Sequence, residues 1–76
     1  MRKTLHFHVY RSDDYYVAEC AELPIVTQGE TLDETAKNIR EATSLHLEGE
    51  DFVELDLDPN PVVELTLELQ PVDDVA

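Results

Sequence analysis

The chain has 76 residues, of which 18 are Asp or Glu and five are Lys or Arg, giving a formal charge of −13 at pH 7. A chain this short buries only about 60% of the surface it exposes when unfolded, so one small domain is the limit. The charge repels phosphate backbones, which argues against direct nucleic-acid binding by this chain alone, and no apolar run is long enough to cross a membrane.

A core this thin supports one helix on one small sheet and leaves the other sheet face to solvent or a partner. The expectation is therefore a homodimer or higher homo-oligomer. From Glu41 onward the sequence holds eleven acids and no Lys or Arg. Such a surface attracts a basic protein by steering and charge complementarity. An acidic surface favoured by a halophilic or thermophilic cell explains the same charge equally well. The lone Cys20 rules out an intramolecular disulfide and fits a reducing cytosol, so a cytoplasmic location is expected. The opening "MRKTLHFHVY" is basic at first, but its alternating His and Tyr break the apolar run a signal peptide needs.

"TLHFHVYR" (Thr4–Arg11) alternates, with Leu5, Phe7 and Val9 on one side and His6, His8 and Tyr10 on the other, which predicts a half-buried strand. "SDD" is turn chemistry, and "YYVAEC" (Tyr15–Cys20) predicts the return strand of a hairpin. Pro24 breaks the pattern, and "IVTQ" (Ile25–Gln28) predicts a third, short strand ended by Gly29. Thr31 and Glu34 then form a capping box, with Glu30, Asp33 and Glu34 placed where the helix dipole favours negative charge. Leu32, Ala36, Ile39, Ala42 or Thr43, and His46 recur at helical spacing, flanked by Leu45 and Leu47. Lys37 and Glu41 are spaced to pair on the solvent side. Gly49 is placed to end the helix in a left-handed turn.

"EDFVELDLDPNP" predicts a turn of helix followed by extended chain, with a hairpin-opening strand as the alternative. "VVELTLEL" (Val62–Leu69) is a last amphipathic strand, with Val63, Leu65, Leu67 and Leu69 on its apolar side. Residues 1–70 are read as a single domain and 71–76 as a C-terminal tail. The fold class is α+β, ordered β-β-β-α-β, with one helix packed on a small mixed sheet. A crossover from the third strand through the helix to a parallel neighbour is expected to be right-handed.

The run "YYVAECAELPIVTQGETLDETAKNIREATSLHLE" (Tyr15–Glu48) resembles the HicB-like antitoxin domain family. The resemblance is carried by Tyr16, Val17, Ala18 and Cys20, by the Leu23-Pro24 step, and by the segment Thr27, Gln28, Gly29, Glu30, Thr31, Leu32. It continues on the helix through Glu34, Asn38, Ile39, Glu41 and Ala42. Where family members often have Gly-Cys after the proline, this chain has Ile25-Val26. Many members also carry a C-terminal helix-turn-helix or ribbon-helix-helix segment, and none follows Leu69 here. The resemblance implies a partial RNase-H-like fold in a solitary form and neutralisation of a toxin, and without that segment it carries no implication for operator binding. The strand–glycine–helix joint then reads as architecture: Gly29 turns the chain sharply, Thr31 caps the helix, and Leu32 plugs the core beneath it.

An RNase-H-like shape invites a search for metal-binding carboxylates, because two-metal nucleases need several acids converging on a phosphate. The first strand, where that pattern places an acid, has none. Glu64 and Glu68 on the last strand, with Glu34 or Glu41 on the helix, make an incomplete set and read as solvated acids. His6 and His8 share a strand face but lack a third ligand, because His46 belongs to the helix on the other side. Cys20 sits beside Glu19 and Glu22, which disfavour a thiolate. Ser12 and Ser44 have no triad around them, and two glycines do not make a phosphate loop. No catalytic residue, metal or cofactor is expected.

The favoured function is a non-enzymatic, antitoxin-type module. Its partner would be a small, basic, HicA-like mRNA-cleaving toxin, with Glu22, Glu30, Asp33 and Glu34 as candidate contacts. The alternatives are a solitary regulatory or structural oligomer without a toxin and, last, a divergent metal-dependent nuclease.

Overall fold

The computed structural model describes residues 1–71 and builds six elements. In chain order they are β1 (Arg2–Ser12), β2 (Tyr15–Cys20), β3 (Val26–Gly29), α1 (Leu32–Leu47), α2 (Phe52–Leu55) and β4 (Leu57–Leu67). The strands form one mixed sheet in the order β3-β2-β1-β4. The β1–β2 and β2–β3 pairs are antiparallel, whereas β4 runs parallel to β1. Of the expected tail, residues 72–76 lie outside the described residues.

Period two decides the hairpin. Leu5, Phe7 and Val9 of β1 are all buried. Their partners Ala18 and Cys20 on β2 face the same way, Phe7 opposite Cys20 and Val9 opposite Ala18. The two-residue turn between the strands places Asp13 at φ 54°, a left-handed conformation that Asp tolerates better than most residues.

One half of the capping box forms as read, and the reaching glutamate bonds the residue before the N-cap. Glu34 N–H donates to Thr31 Oγ1 at 3.0 Å, and Glu34 Oε1 reaches back to Glu30 N–H at 3.1 Å. The buried stripe of α1 is Thr35, Ile39, Thr43 and Leu47. Leu32, expected beneath the helix, is instead 42% exposed. It lies one turn too early, and Thr35 takes the place beneath the joint. Thr35 donates its hydroxyl to Thr31 O at 2.7 Å, so its polar atom is satisfied within the helix. Lys37 and Glu41 make no ion pair among the described residues, although their spacing suits one. Gly49 follows the helix at φ +76°, with open space where a Cβ would sit.

Gly29 plays a different part from the sharp turn expected of it. It is buried at the end of β3, and its φ lies outside the left-handed region. A Cβ built there would stand 2.5 Å from Thr35 Oγ1 and 2.6 Å from Thr35 N. The glycine therefore permits strand and helix backbones to approach closely. Beside this contact, Asn38 Nδ2 donates to Gln28 O at 2.7 Å. Both contacts tie α1 to the β3 side of the sheet. α1 packs on β3 and β2, and none of its Cα atoms comes within 8 Å of one in β4.

Asp51 caps the single turn of α2, accepting from the N–H groups of Val53 and Glu54 at 3.0 and 3.2 Å. Asp56 closes it in the left-handed conformation. The chain then runs straight into β4, five residues earlier than the expected start at Val62 and through both prolines. Two facts permit this. β4 is an edge strand, where a missing N–H costs no ladder bond, and the register with β1 shifts between Arg2 and Thr4, opposite the prolines. The expected end at Leu69 also moves back, to Leu67.

Gly29→Ala and Gly49→Ala separate two causes of destabilisation. Overpacking makes the first cost about 1–3 kcal/mol or more, and the left-handed backbone makes the second cost about 1–2 kcal/mol. Urea unfolding of both variants checks the order. Adding Thr35→Ala to Gly29→Ala removes only the hydroxyl contact and leaves the backbone one, so stability is recovered at most in part.

Candidate functional site

Two surfaces gather the charged residues. The first is the joint into α1. Glu30, Asp33 and Glu34 are all exposed there, around a shallow hollow of about 320 Å³ lined by Arg11, Tyr16, Glu30, Thr31, Leu32 and Asp33. The hollow is not uniformly acidic, because the Arg11 guanidinium lies 4.9 Å from the centre of the Tyr16 ring. Arg11 Nε also donates to Asp13 O at 3.2 Å. Glu34 is partly committed to the cap, which leaves Glu30 and Asp33 as the acids of this hollow whose carboxylates have no partner among the described residues.

Glu22, the fourth candidate contact, is elsewhere. Its carboxylate accepts from His6 N–H at 2.8 Å and meets His6 Nδ1 at 2.5 Å. His6 and Arg11 are five strand residues apart, about 17 Å. The structure thus brings together Glu30, Asp33 and Glu34 and sets Glu22 at the far end of the sheet.

The second surface is the sheet face turned away from α1. Its centre is the polar side of β1, where each side chain has a carboxylate partner. His6 sits between Glu22 and Glu64, with Nε2 3.4 Å from Glu64 Oε2. His8 Nε2 lies 2.9 Å from Glu68 Oε2. Tyr10 donates its hydroxyl to Glu19 at 2.6 Å, and the His8 and Tyr10 rings meet edge to face at 5.7 Å. The alternation of β1 announces the bases of this row, but the acids come from β2, from the segment after it, and from β4 and just beyond it. Only sheet register could have paired them.

The electrostatics follow from the pairing. The hydrogen bond to Glu22 raises the His6 pKa above 6.5; desolvation opposes it, and the charges of Glu22 and Glu64 reinforce it. Burial pushes the Glu22 carboxyl up, but the His6 N–H and ring, with a further bond from Cys20, outweigh this and hold it below its ordinary value. Cys20 Sγ lies 3.6 Å from Glu22 Oε1. Tyr10 is raised by its bond to Glu19.

Among the described residues, no group of three His, Cys, Asp or Glu side chains is arranged to hold a metal ion. The carboxylates weighed for a nuclease are split across the sheet, with Glu64 and Glu68 beside the histidines and Glu34 and Glu41 on α1. His46 is in the last turn of α1, away from His6 and His8. Among the described residues no helix is long and apolar enough to cross a membrane. Comparisons with protein-family models, with curated proteins and with solved structures return no match.

The His6–Glu22 pair has a definite pH signature. His6, with its raised pKa, contributes stability fully present below pH 6.5 and lost as pH rises through its folded value. Glu22, with its lowered pKa, contributes stability above its unfolded value that is lost as pH falls through its folded one. An NMR titration of the His6 ring is expected to show a midpoint above an ordinary histidine, and Glu22→Gln should move it down. An unchanged midpoint in that variant would remove Glu22 as the cause.

Proposed function

We propose that the chain is a HicB-like protein-binding module of the antitoxin type, built on a partial RNase-H-like sheet. Its partner is a small, basic, HicA-like mRNA-cleaving toxin. The observation that carries the reading is the coincidence, within Tyr15–Glu48, of the HicB-like run with an exposed acidic helix start. The β-β-β-α-β order, extended by the single turn of α2, the mixed sheet and the −13 charge support it.

The mechanism is occlusion. Glu30 and Asp33, with Glu34 behind them, take the place of RNA phosphates on the toxin's basic surface, and docking hides the toxin's active-site histidine. The attraction acts mostly on the rate of encounter and weakens with salt. Glu22 contributes through its hold on β1 and lies outside this contact.

A solitary oligomeric module without a toxin is the second reading, favoured by the incompletely covered apolar face of β4, where Leu65 is 47% exposed.

Co-purification from the native cell, followed by identification of any small companion, tests the first reading. The expected companion is basic, cleaves RNA alone, and stops cleaving when this chain is added. If the chain leaves such a protein's RNA cleavage intact, or no such companion is found, the second reading replaces the first. Glu30→Lys with Asp33→Lys should weaken capture of the toxin at least tenfold at low salt, measured by titration calorimetry. Unchanged affinity would move the contact off the joint. Glu34 is left intact because its reversal would also break the helix cap.

A further inference from the structure

The last strand is finished on one side only. β4 is an edge of the sheet, and its side chains Val63, Leu65 and Leu67 face the same way as Leu5, Phe7 and Val9 beside them. β1's apolar row is buried, yet Leu65 is 47% exposed, because α1 sits over β3 and β2. An open groove of about 250 Å³ remains between α1 and β4, with Val9, Leu65 and Leu67 on the sheet side and Leu32, Asp33, Thr35 and Ala36 on the helix side.

The strand's backbone is also half used. Glu68 N–H donates to Val9 O at 2.9 Å. N–H and C=O groups alternate sides along a strand, so those of Val63, Leu65 and Leu67 point outward from the sheet. An unpaired edge with an apolar face is a template for another strand. The opposite edge is less available: β3 has four residues, and Asn38 occupies the Gln28 carbonyl.

We propose that the occupant is a second copy of this chain, pairing β4 with β4 antiparallel about a two-fold axis at Leu65. Of the axes from Val63 to Thr66, inside β4, the strand's own sequence favours this register. Leu65 then faces Leu65 of the second copy, and Val63 faces Leu67 on both sides of the axis, giving three apolar cross-strand pairs on the groove side. On the other face Glu64 meets Thr66 and Val62 meets Glu68, so no like charges stand directly opposite. Moving the axis to Glu64 sets Glu64 against itself. Moving it to Thr66 sets Glu64 against Glu68. Moving it to Val63 places Pro61, which has no N–H, opposite Leu65 and sets Asp58 against Glu68.

Pairing joins the two sheets into one of eight strands with a helix over each flank, and brings the two grooves together at the seam. Each copy carries −13, so added salt screens the repulsion and tightens the pair. A complex with a basic partner has the opposite salt dependence. The dimer does not rest on the toxin reading, and the two share only Asp33, which lines the groove, so their tests fail separately.

Sedimentation equilibrium of the purified chain from low to high salt tests the assembly. The expected result is a monomer–dimer equilibrium that shifts toward the dimer as salt rises; a monomer at every salt and concentration overturns it. Thr66→Glu sets a carboxylate opposite Glu64 at two symmetric places and should weaken the dimer about 2- to 30-fold. Cysteine pairing tests the register separately, in a Cys20→Ser background. Leu65→Cys should cross-link rapidly on mild oxidation, since the two sulfurs meet at the axis. Val63→Cys should cross-link slowly, its copies lying about 14 Å apart along the strands. Equal rates for the two variants, or a dimer that ignores all three substitutions, would place the interface elsewhere.

Discussion

The contact between Gly29 and Thr35 governs this small architecture. A strand and a helix cannot approach this closely with a Cβ between them, since it would stand 2.5 Å from Thr35 Oγ1. By leaving that space empty, Gly29 lets the first turn of α1 rest on the end of β3, and Asn38 holds the next turn to the same strand. The helix is thereby committed to the β3–β2 half of the sheet. β1 is roofed by side chains reaching across, whereas β4 is covered only in part: Leu57 is buried, Val63 and Leu67 pack against the core, and Leu65 is 47% exposed. A docking choice made at one edge thus decides what is left exposed at the other.

The surplus of carboxylates is organised by the central strand. β1 carries two histidines and a tyrosine on one face, and its neighbours answer with Glu22, Glu64, Glu68 and Glu19. Exposed pairs of this kind add little stability individually. Their effect is to orient the side chains in a row across the sheet and to shift His6 and Tyr10 upward. They also commit Glu22 to β1, away from the exposed acids at the start of α1.

Much of this was legible because it is local. The alternation of Leu5, Phe7 and Val9 set the buried face of β1, and the Thr31–Glu34 box fixed the start of α1 to the residue. Gly49 marked its end. What escaped was non-local or depended on depth. Leu32 carries the apolar signal, but Thr35 faces the sheet, and a threonine that bonds its own preceding turn looks like a poor core residue until its partner is known. Pro59 and Pro61 argued for a break, which is correct for a central strand; only the position of β4 at an edge made them admissible. The His6–Glu22 pair spans sixteen residues, and no spacing rule reaches that far.

The last strand shows what the disagreement between pattern and burial means. Val63, Leu65 and Leu67 alternate as strictly as the core row of β1, and a chain with so few apolar residues gains little by placing them where water reaches them. The pattern is nonetheless satisfied only in part by the single chain, with Leu65 47% exposed. A periodicity written for burial but unmet within one domain points to a surface completed by something else. Here that surface adjoins outward-pointing backbone groups, and its acids are spaced so that the strand can face its own reverse without opposing charges. A partner chosen for basicity would dock on the acids. This face is largely apolar, and the proposed dimer covers it with a strand of the same kind.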